Sequence, residues 1–181
     1  MMIRAFTSLI LLLLMNQSPT TIFLFNNDAD VSAWNIVDDR VMGGISRSYF
    51  ELTEDGYGKF HGFVTTESNG GFSSVAYDFD KLQVSPADKI RIKLKGDGKT
   101  FQLRVKAFAG DRHNYIKEFD TTGEWQTIEI ALSEMKPSWR GNQLRIPNFD
   151  KNQITSVTVL IGNGKKQNFE LLMESIKVVK Y

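Results

Sequence analysis

Asp38-Asp39-Arg40-Val41-Met42-Gly43-Gly44-Ile45-Ser46, with Trp34 just upstream and Phe50 just downstream, is the stretch on which the reading of this chain turns. It sets two acids, a glycine pair and a methionine where a chain ordinarily runs as a strand or closes a simple turn. A glycine pair supplies positive φ or lets another stretch of backbone approach closely. Adjacent aspartates accept hydrogen bonds from nearby backbone N–H groups and fix a tight loop. Met42 is expected to fill an irregular apolar gap. A second glycine pair, in Asn69-Gly70-Gly71-Phe72-Ser73-Ser74, follows about one β-hairpin later. Its Asn and Gly suit the positive-φ positions of a hairpin. Two readings stand side by side. In the structural one, the first run is a bulged strand corner packed against Trp34 and the second is an ordinary hairpin. In the functional one, Asp38, Asp39, Met42, Gly43, Gly44 and Ser46 form a recognition surface. Asn69, Gly70, Gly71 and Phe72 then lie beside them and share its edge.

Outward from these runs the sequence reads as short strands between turn signals. Ile22 to Phe25, Tyr49 to Thr53, Gly58 to Thr66 and Phe72 to Phe79 come first. Ile90, Ile92 and Leu94 then alternate with Arg91, Lys93 and Lys95. Phe101, Leu103, Val105 and Ala107 alternate with Gln102, Arg104 and Lys106. A period of two marks half-buried antiparallel strands. Gly96-Asp97-Gly98 between them reads as a hairpin connection. Trp125 to Leu132, Ile154 to Ile161 and Phe169 to Val179 continue the pattern. About nine or ten strands at short spacing predict an all-β jelly-roll sandwich. Helix signals reduce to one turn at Ser133–Lys136, stopped by Pro137. The longest loop-like stretch, Ser133 to Asn152, holds Trp139, Arg140 and Gly141, and long ordered loops on a sandwich often carry binding function.

Bulk properties bound the rest. A chain of 181 residues fits one domain and needs no metal or disulfide to hold its core. There are no cysteines, which excludes disulfides, thiolate zinc sites, a cysteine nucleophile and a lipid anchor on cysteine. At the N-terminus, Arg4 precedes the run Leu9-Ile10-Leu11-Leu12-Leu13-Leu14-Met15, which a polar break, Asn16-Gln17-Ser18-Pro19, ends. Such a run suits a secretory leader and falls short of the ~20 residues a spanning helix needs. Residues 1–20 are therefore read as a signal peptide or N-terminal anchor. The domain is read as residues 21–181, exported to a periplasmic or extracellular location. No Ala-x-Ala cleavage site is present; Ser18 and Thr20 are the nearest small pair. Arg4 is the one charge in residues 1–25, so the remaining 21 acidic residues are matched by an equal number of basic ones. A neutral domain has no electrostatic footprint for nucleic acid.

Catalytic and metal signals fail one by one. Gly98-Lys99-Thr100 ends like a phosphate-binding loop, but Lys93 stands where its first glycine belongs. Gly44-Ile45-Ser46-Arg47-Ser48 lacks the second glycine of a nucleophile elbow. His61 and His113, the two histidines, have no second ligand at metal spacing. Asp28 and Asp30 read as an exposed turn, with a calcium site as the sharper alternative. No cofactor and no metal are expected. Arg91, Lys93, Lys95, Arg104 and Lys106 fall on the polar side of two strands read as neighbours. There they form a basic patch for an acidic partner or a polyanionic glycan, unless acids on adjacent strands neutralise them.

Phe25, Trp34, Asp39, Val41-Met42-Gly43-Gly44, Ser46, Phe60, Gly62, Asn69-Gly70-Gly71-Phe72 and Ser74 together resemble the complex I intermediate-associated protein 30 family. The likeness extends through Trp125, Arg140-Gly141 and the Phe169–Ile176 strand, so it spans roughly residues 22–181. It implies a jelly-roll sandwich of the galactose-binding-like kind, which agrees with the strand pattern. It also implies an assembly role: mitochondrial members help to assemble NADH:ubiquinone oxidoreductase. The leader here, with its single arginine, is unlike an Arg-rich amphipathic transit peptide. The resulting expectation is a non-catalytic module that binds a protein partner in assembly or scaffolding near a membrane. The alternative is a carbohydrate-binding module that uses Trp139, Arg140 and the Arg104 face.

Overall fold

The computed structural model describes residues 18–181, so the apolar leader run lies outside the described residues. Thirteen strands form: β1 Thr20–Leu24, β2 Trp34–Asp38, β3 Arg47–Leu52, β4 Gly58–Val64, β5 Ser73–Gln83, β6 Lys89–Gly96, β7 Thr100–Lys106, β8 Asn114–Asp120, β9 Trp125–Ala131, β10 Lys136–Trp139, β11 Asn142–Gln143, β12 Gln153–Ile161 and β13 Gln167–Val179. They build a jelly-roll sandwich of two antiparallel sheets. One runs β3-β4-β13-β6-β9, with β1 joined to the far half of β13; the other runs β11-β10-β8-β7-β12-β5-β2.

The expected count of nine or ten strands falls short by β2, β8, β10 and β11. β8 shows why. Its inward positions are Tyr115, Lys117 and Phe119, while Ile116 points outward opposite Arg104, so the apolar alternation breaks in mid-strand. β10 contains Pro137 and β11 spans only Asn142–Gln143, too short to leave a period. The expected helical turn is a 3₁₀ turn at Leu132–Glu134.

The expected hairpin at Gly96-Asp97-Gly98 does not form. β6 pairs with β13 and β9, whereas β7 pairs with β12 and β8. The chain crosses from one sheet to the other at this point. The reason is that Ile90, Ile92 and Leu94 and Phe101, Leu103 and Val105 bury their apolar faces from opposite sides of one core.

β13 sets the long axis. Its Gln167 end lies beside Val64 of β4, and its far end pairs Val178 with Thr20 of β1. At roughly 3.3 Å per residue these ends are about 40 Å apart. At the Thr20 end the buried Asp88 carboxylate accepts hydrogen bonds from Ser85 N (2.8 Å), Lys180 Nζ (2.9 Å) and Tyr181 N (3.1 Å). Burial opposes its charge, but these bonds outweigh burial and hold its pKa below the ordinary aspartate value. Asp88→Asn is therefore expected to cost about 1–2 kcal/mol in urea unfolding at pH 7. The difference from the parent should shrink as pH falls towards the folded-state pKa, because a depressed carboxylate pKa gives stability present only at higher pH.

Candidate functional site

The two glycine runs meet at one buried carboxylate. β2 ends at Asp38, a 3₁₀ turn follows over Asp39–Met42, and Gly43 leaves that turn in the left-handed region at φ +91°. Asp39 is fully buried. Its Oδ1 accepts a hydrogen bond from Ser46 N (3.0 Å). Its Oδ2 accepts from Gly71 N (2.7 Å), Phe72 N (3.4 Å) and the Ser46 hydroxyl. The Ser46 oxygen in turn accepts from Thr65 N (3.0 Å), just past β4. Asp39 N donates to Phe72 O (3.2 Å), so side chain and backbone of one residue clamp both loops. Burial is the largest single influence on this carboxylate and pushes its pKa up. The bonds from Ser46, Gly71 and Phe72 together outweigh it and leave the pKa below the usual value.

Two of the four loop glycines exist for this clamp. A Cβ on Gly44 would sit 2.2 Å from Asp39 Oδ1 and 2.8 Å from Gly70 Cα; one on Gly70 would sit 2.6 Å from Asp39 Oδ2. Asp38 makes a parallel tie, accepting from Ser48 N (3.1 Å) and Ser48 Oγ (2.6 Å). The Asn69 backbone closes a 3₁₀ turn over Glu67–Asn69; its side chain is not among the described ones. Phe72 is half-buried, and Trp34 is buried among Phe23, Phe25, Phe50 and Tyr77. Trp34 therefore belongs to this buried aromatic cluster at the opposite end of β2 from Asp38 and does not face solvent. The Ser46–Asp39 pair is likewise sealed from solvent, which makes it a brace that no substrate reaches in this structure.

What the brace holds up is apolar. Val41, Met42 and Ile45 are 73%, 58% and 56% exposed. Met42 therefore does not fill a gap, as its chemistry suggested. Met42 is the last residue of the 3₁₀ turn, and its side chain lies exposed at the loop tip while Asp39 at the start of the turn is buried. Val41 and Ile45 were not among the expected recognition residues; only their place between Asp39 and Ser46 could have marked them.

The remaining expected residues lie elsewhere. Trp139 ends β10 and Arg140-Gly141 makes the tight turn to β11, with the Arg140 guanidinium 5.0 Å from the centre of the Trp139 ring. Arg140 and Gly141 both have positive φ, as a type I′ hairpin turn requires. Arg104 stands on the outward side of β7, the central strand of the seven-stranded sheet. The expected five-residue basic patch is split. Arg91 and Lys93 lie on the other sheet, where they pair with Glu129 (2.6 Å) and Glu174 (2.9 Å). Beside Arg104 a cleft of about 420 Å³ opens over Gln102, Ile116, Glu118, Lys136, Ser138 and Gln143. Sequence reading missed it because three of its strands carried no clear alternation. Among the described residues, no group of three or more His, Asp or Glu is placed to hold a metal ion.

Two antiparallel sheets packed over one core, with the clamped loops at one end, define a jelly-roll β-sandwich. The chain belongs to the Complex I intermediate-associated protein 30 (CIA30) family, whose family model matches residues 23–173. An uncharacterized protein of Schizosaccharomyces pombe is 28% identical over 166 residues, covering 79% of this chain and 76% of its own. The fold is also that of a family 11 carbohydrate-binding module from Clostridium thermocellum, solved with a β-1,3-1,4-mixed-linked tetrasaccharide. That likeness has a TM-score of 0.68 at 16% identity over 91% of this chain and 97% of the other. An exo-β-agarase contains a similar domain, with TM-score 0.58 and 13% identity over 89% of this chain and 25% of that enzyme. At these identities the structural likenesses concern the fold alone.

Proposed function

We propose that this protein is an exported, non-catalytic module that docks onto a protein partner in the assembly or scaffolding of a membrane-linked complex. The observation that carries this reading is the loop tip: three aliphatic side chains held in water by a backbone clamped to a buried aspartate. Exposed aliphatic side chains on a preorganised loop lose little entropy on docking and gain the burial of apolar surface. Family membership supports the assembly role, and the leader run supports export.

Sugar binding has less support in the geometry. The outward positions of β2, β5, β12, β7, β8 and β10 carry no aromatic ring on which a pyranose could stack. Trp139 sits at the sheet edge beside Arg140, away from Arg104.

A photoreactive residue in place of Ile45, activated in intact cells, tests the docking. The expected result is a discrete adduct with a protein of a membrane-linked complex. In the double variant Val41→Asp/Met42→Asp the adduct should fall at least tenfold. Its melting temperature should stay within a few degrees, since both residues are exposed. An adduct of unchanged yield in that variant would refute the tip as the docking surface.

A further inference from the structure

Arg104 is a cation without an anion. Across the seven-stranded sheet its outward row reads Asn35, Ala76, Thr158, Arg104, Ile116 and Lys136, one residue from each of six adjacent strands. The guanidinium is half-buried in this row, and burial lowers its pKa. It has five N–H donors. Two of them, on Nε (3.1 Å) and Nη2 (2.6 Å), converge on the single acceptor Gln102 Oε1. Gln102 Nε2 then donates to Glu118 Oε1 (3.1 Å). The relay points the Gln102 carbonyl at Arg104 and keeps the Glu118 carboxylate one residue away. Among the described residues, no carboxylate lies within 4.0 Å of Arg104, and its three other N–H groups have no protein acceptor. On the opposite sheet, Lys59, Lys89, Arg91 and Lys93 reach carboxylates, whereas Arg47, Lys95 and Lys177 do not; Arg104 differs from these in that its guanidinium is held in place by Gln102.

A half-buried guanidinium gains most from a planar, bidentate oxyanion. The ground on its β12 side suits an extended chain. Ala76, Ser156, Thr158 and Ser74 are all small, and Leu160 in the next row is buried although it stands outside the main core. We infer that this face binds an acidic peptide segment of the partner, with one Asp or Glu carboxylate seated on Arg104. The inference rests on the protein-partner reading above and adds a second contact, remote from the tip. A chain laid across this face lies along small side chains and needs no stacking platform, which is why a peptide fits better than a uronate polymer.

The test uses fluorescence anisotropy with the full-length chain in mild detergent and a fluorescein-labelled octapeptide of alternating Glu and Ser. Binding is expected for the parent and absent for the peptide with Gln in place of Glu. Arg104→Gln should weaken binding at least tenfold, and Arg104→Lys should recover part of the loss because it restores the charge without the bidentate fork. The tip variant Val41→Asp/Met42→Asp should bind the peptide as the parent does. Equal affinity in Arg104→Gln overturns the inference, and so does loss of binding in the tip variant. Tighter binding of trigalacturonate than of the peptide overturns the choice of a peptide. A tip adduct in cells combined with no Arg104-dependent binding would sink this inference alone and leave the docking reading standing.

Discussion

Asp39→Ala is expected to lower the unfolding free energy by about 4 kcal/mol in guanidinium denaturation at pH 7. The substitution leaves Gly71 N–H, Ser46 N–H and Phe72 N–H facing a site with no acceptor, and leaves the Ser46 hydroxyl only the Thr65 carbonyl at 3.4 Å. Each orphaned buried donor costs about 1–3 kcal/mol, and water admitted to the vacated space recovers part of the sum. Asp39→Asn should cost less, about 2–3 kcal/mol, since its carbonyl keeps one acceptor while its NH₂ faces donors. The pH dependence has a definite sign. The folded pKa of Asp39 is depressed, so its contribution is complete above the unfolded value near 4 and is lost as pH falls below it. Melts of the parent between pH 7 and pH 3 should show that loss, and Asp39→Asn should show a shallower one. Unchanged stability in Asp39→Ala, together with a lost tip adduct, would instead make Asp39 itself a contact for the partner.

The second large effect is expected at Gly44. An added methyl meets a carboxylate oxygen at 2.2 Å on one side and the Gly70 backbone at 2.8 Å on the other. Neither can yield without parting the two loops, so Gly44→Ala should cost about 3–4 kcal/mol, at the upper end of overpacking penalties. Gly43→Ala supplies the contrast. A Cβ there meets nothing nearer than Ser68 O at 3.8 Å, and only the positive φ resists it. The expected cost is about 1–2 kcal/mol. Paired unfolding curves for the two variants decide the matter. Equal costs would mean that the Asp39 clamp does not control loop spacing.

The neighbouring residues Gly43 and Gly44 show how far the sequence could be read. The pairing announced an unusual backbone and a close approach, and both are present. It could not say that the first glycine supplies φ while the second makes room, because that depends on Gly70, 26 positions away. Asp39 was legible as a loop-fixing acid; its partners in the second run became visible only once β4 and β5 brought that run alongside. The jelly roll itself was readable wherever inward apolar residues alternated with polar ones, as in β6, β7 and β12. It was unreadable in β8, where Ile116 and Lys117 reverse the pattern, and with β8 went the cleft beside Arg104. The hairpin at Gly96–Gly98 failed for a related reason. Alternation locates a strand and its buried face, but two successive strands with inward faces can belong to one sheet or to two that oppose each other.

The position of β1 has a mechanical consequence. Thr20 and Tyr181 leave the sandwich at the same end, and β1 lies antiparallel to the last stretch of β13 with Thr20 opposite Val178. A force that pulls these two points apart acts across the strands, so the β1–β13 bonds open one after another, as a zipper does, and are not sheared together. The hold of Asp88 on Lys180 and Tyr181 makes β1 the side that yields first. Under tension the domain is therefore expected to shed β1 early and at low force, while the clamp at Asp39, about 40 Å away along β13, keeps its loops in place.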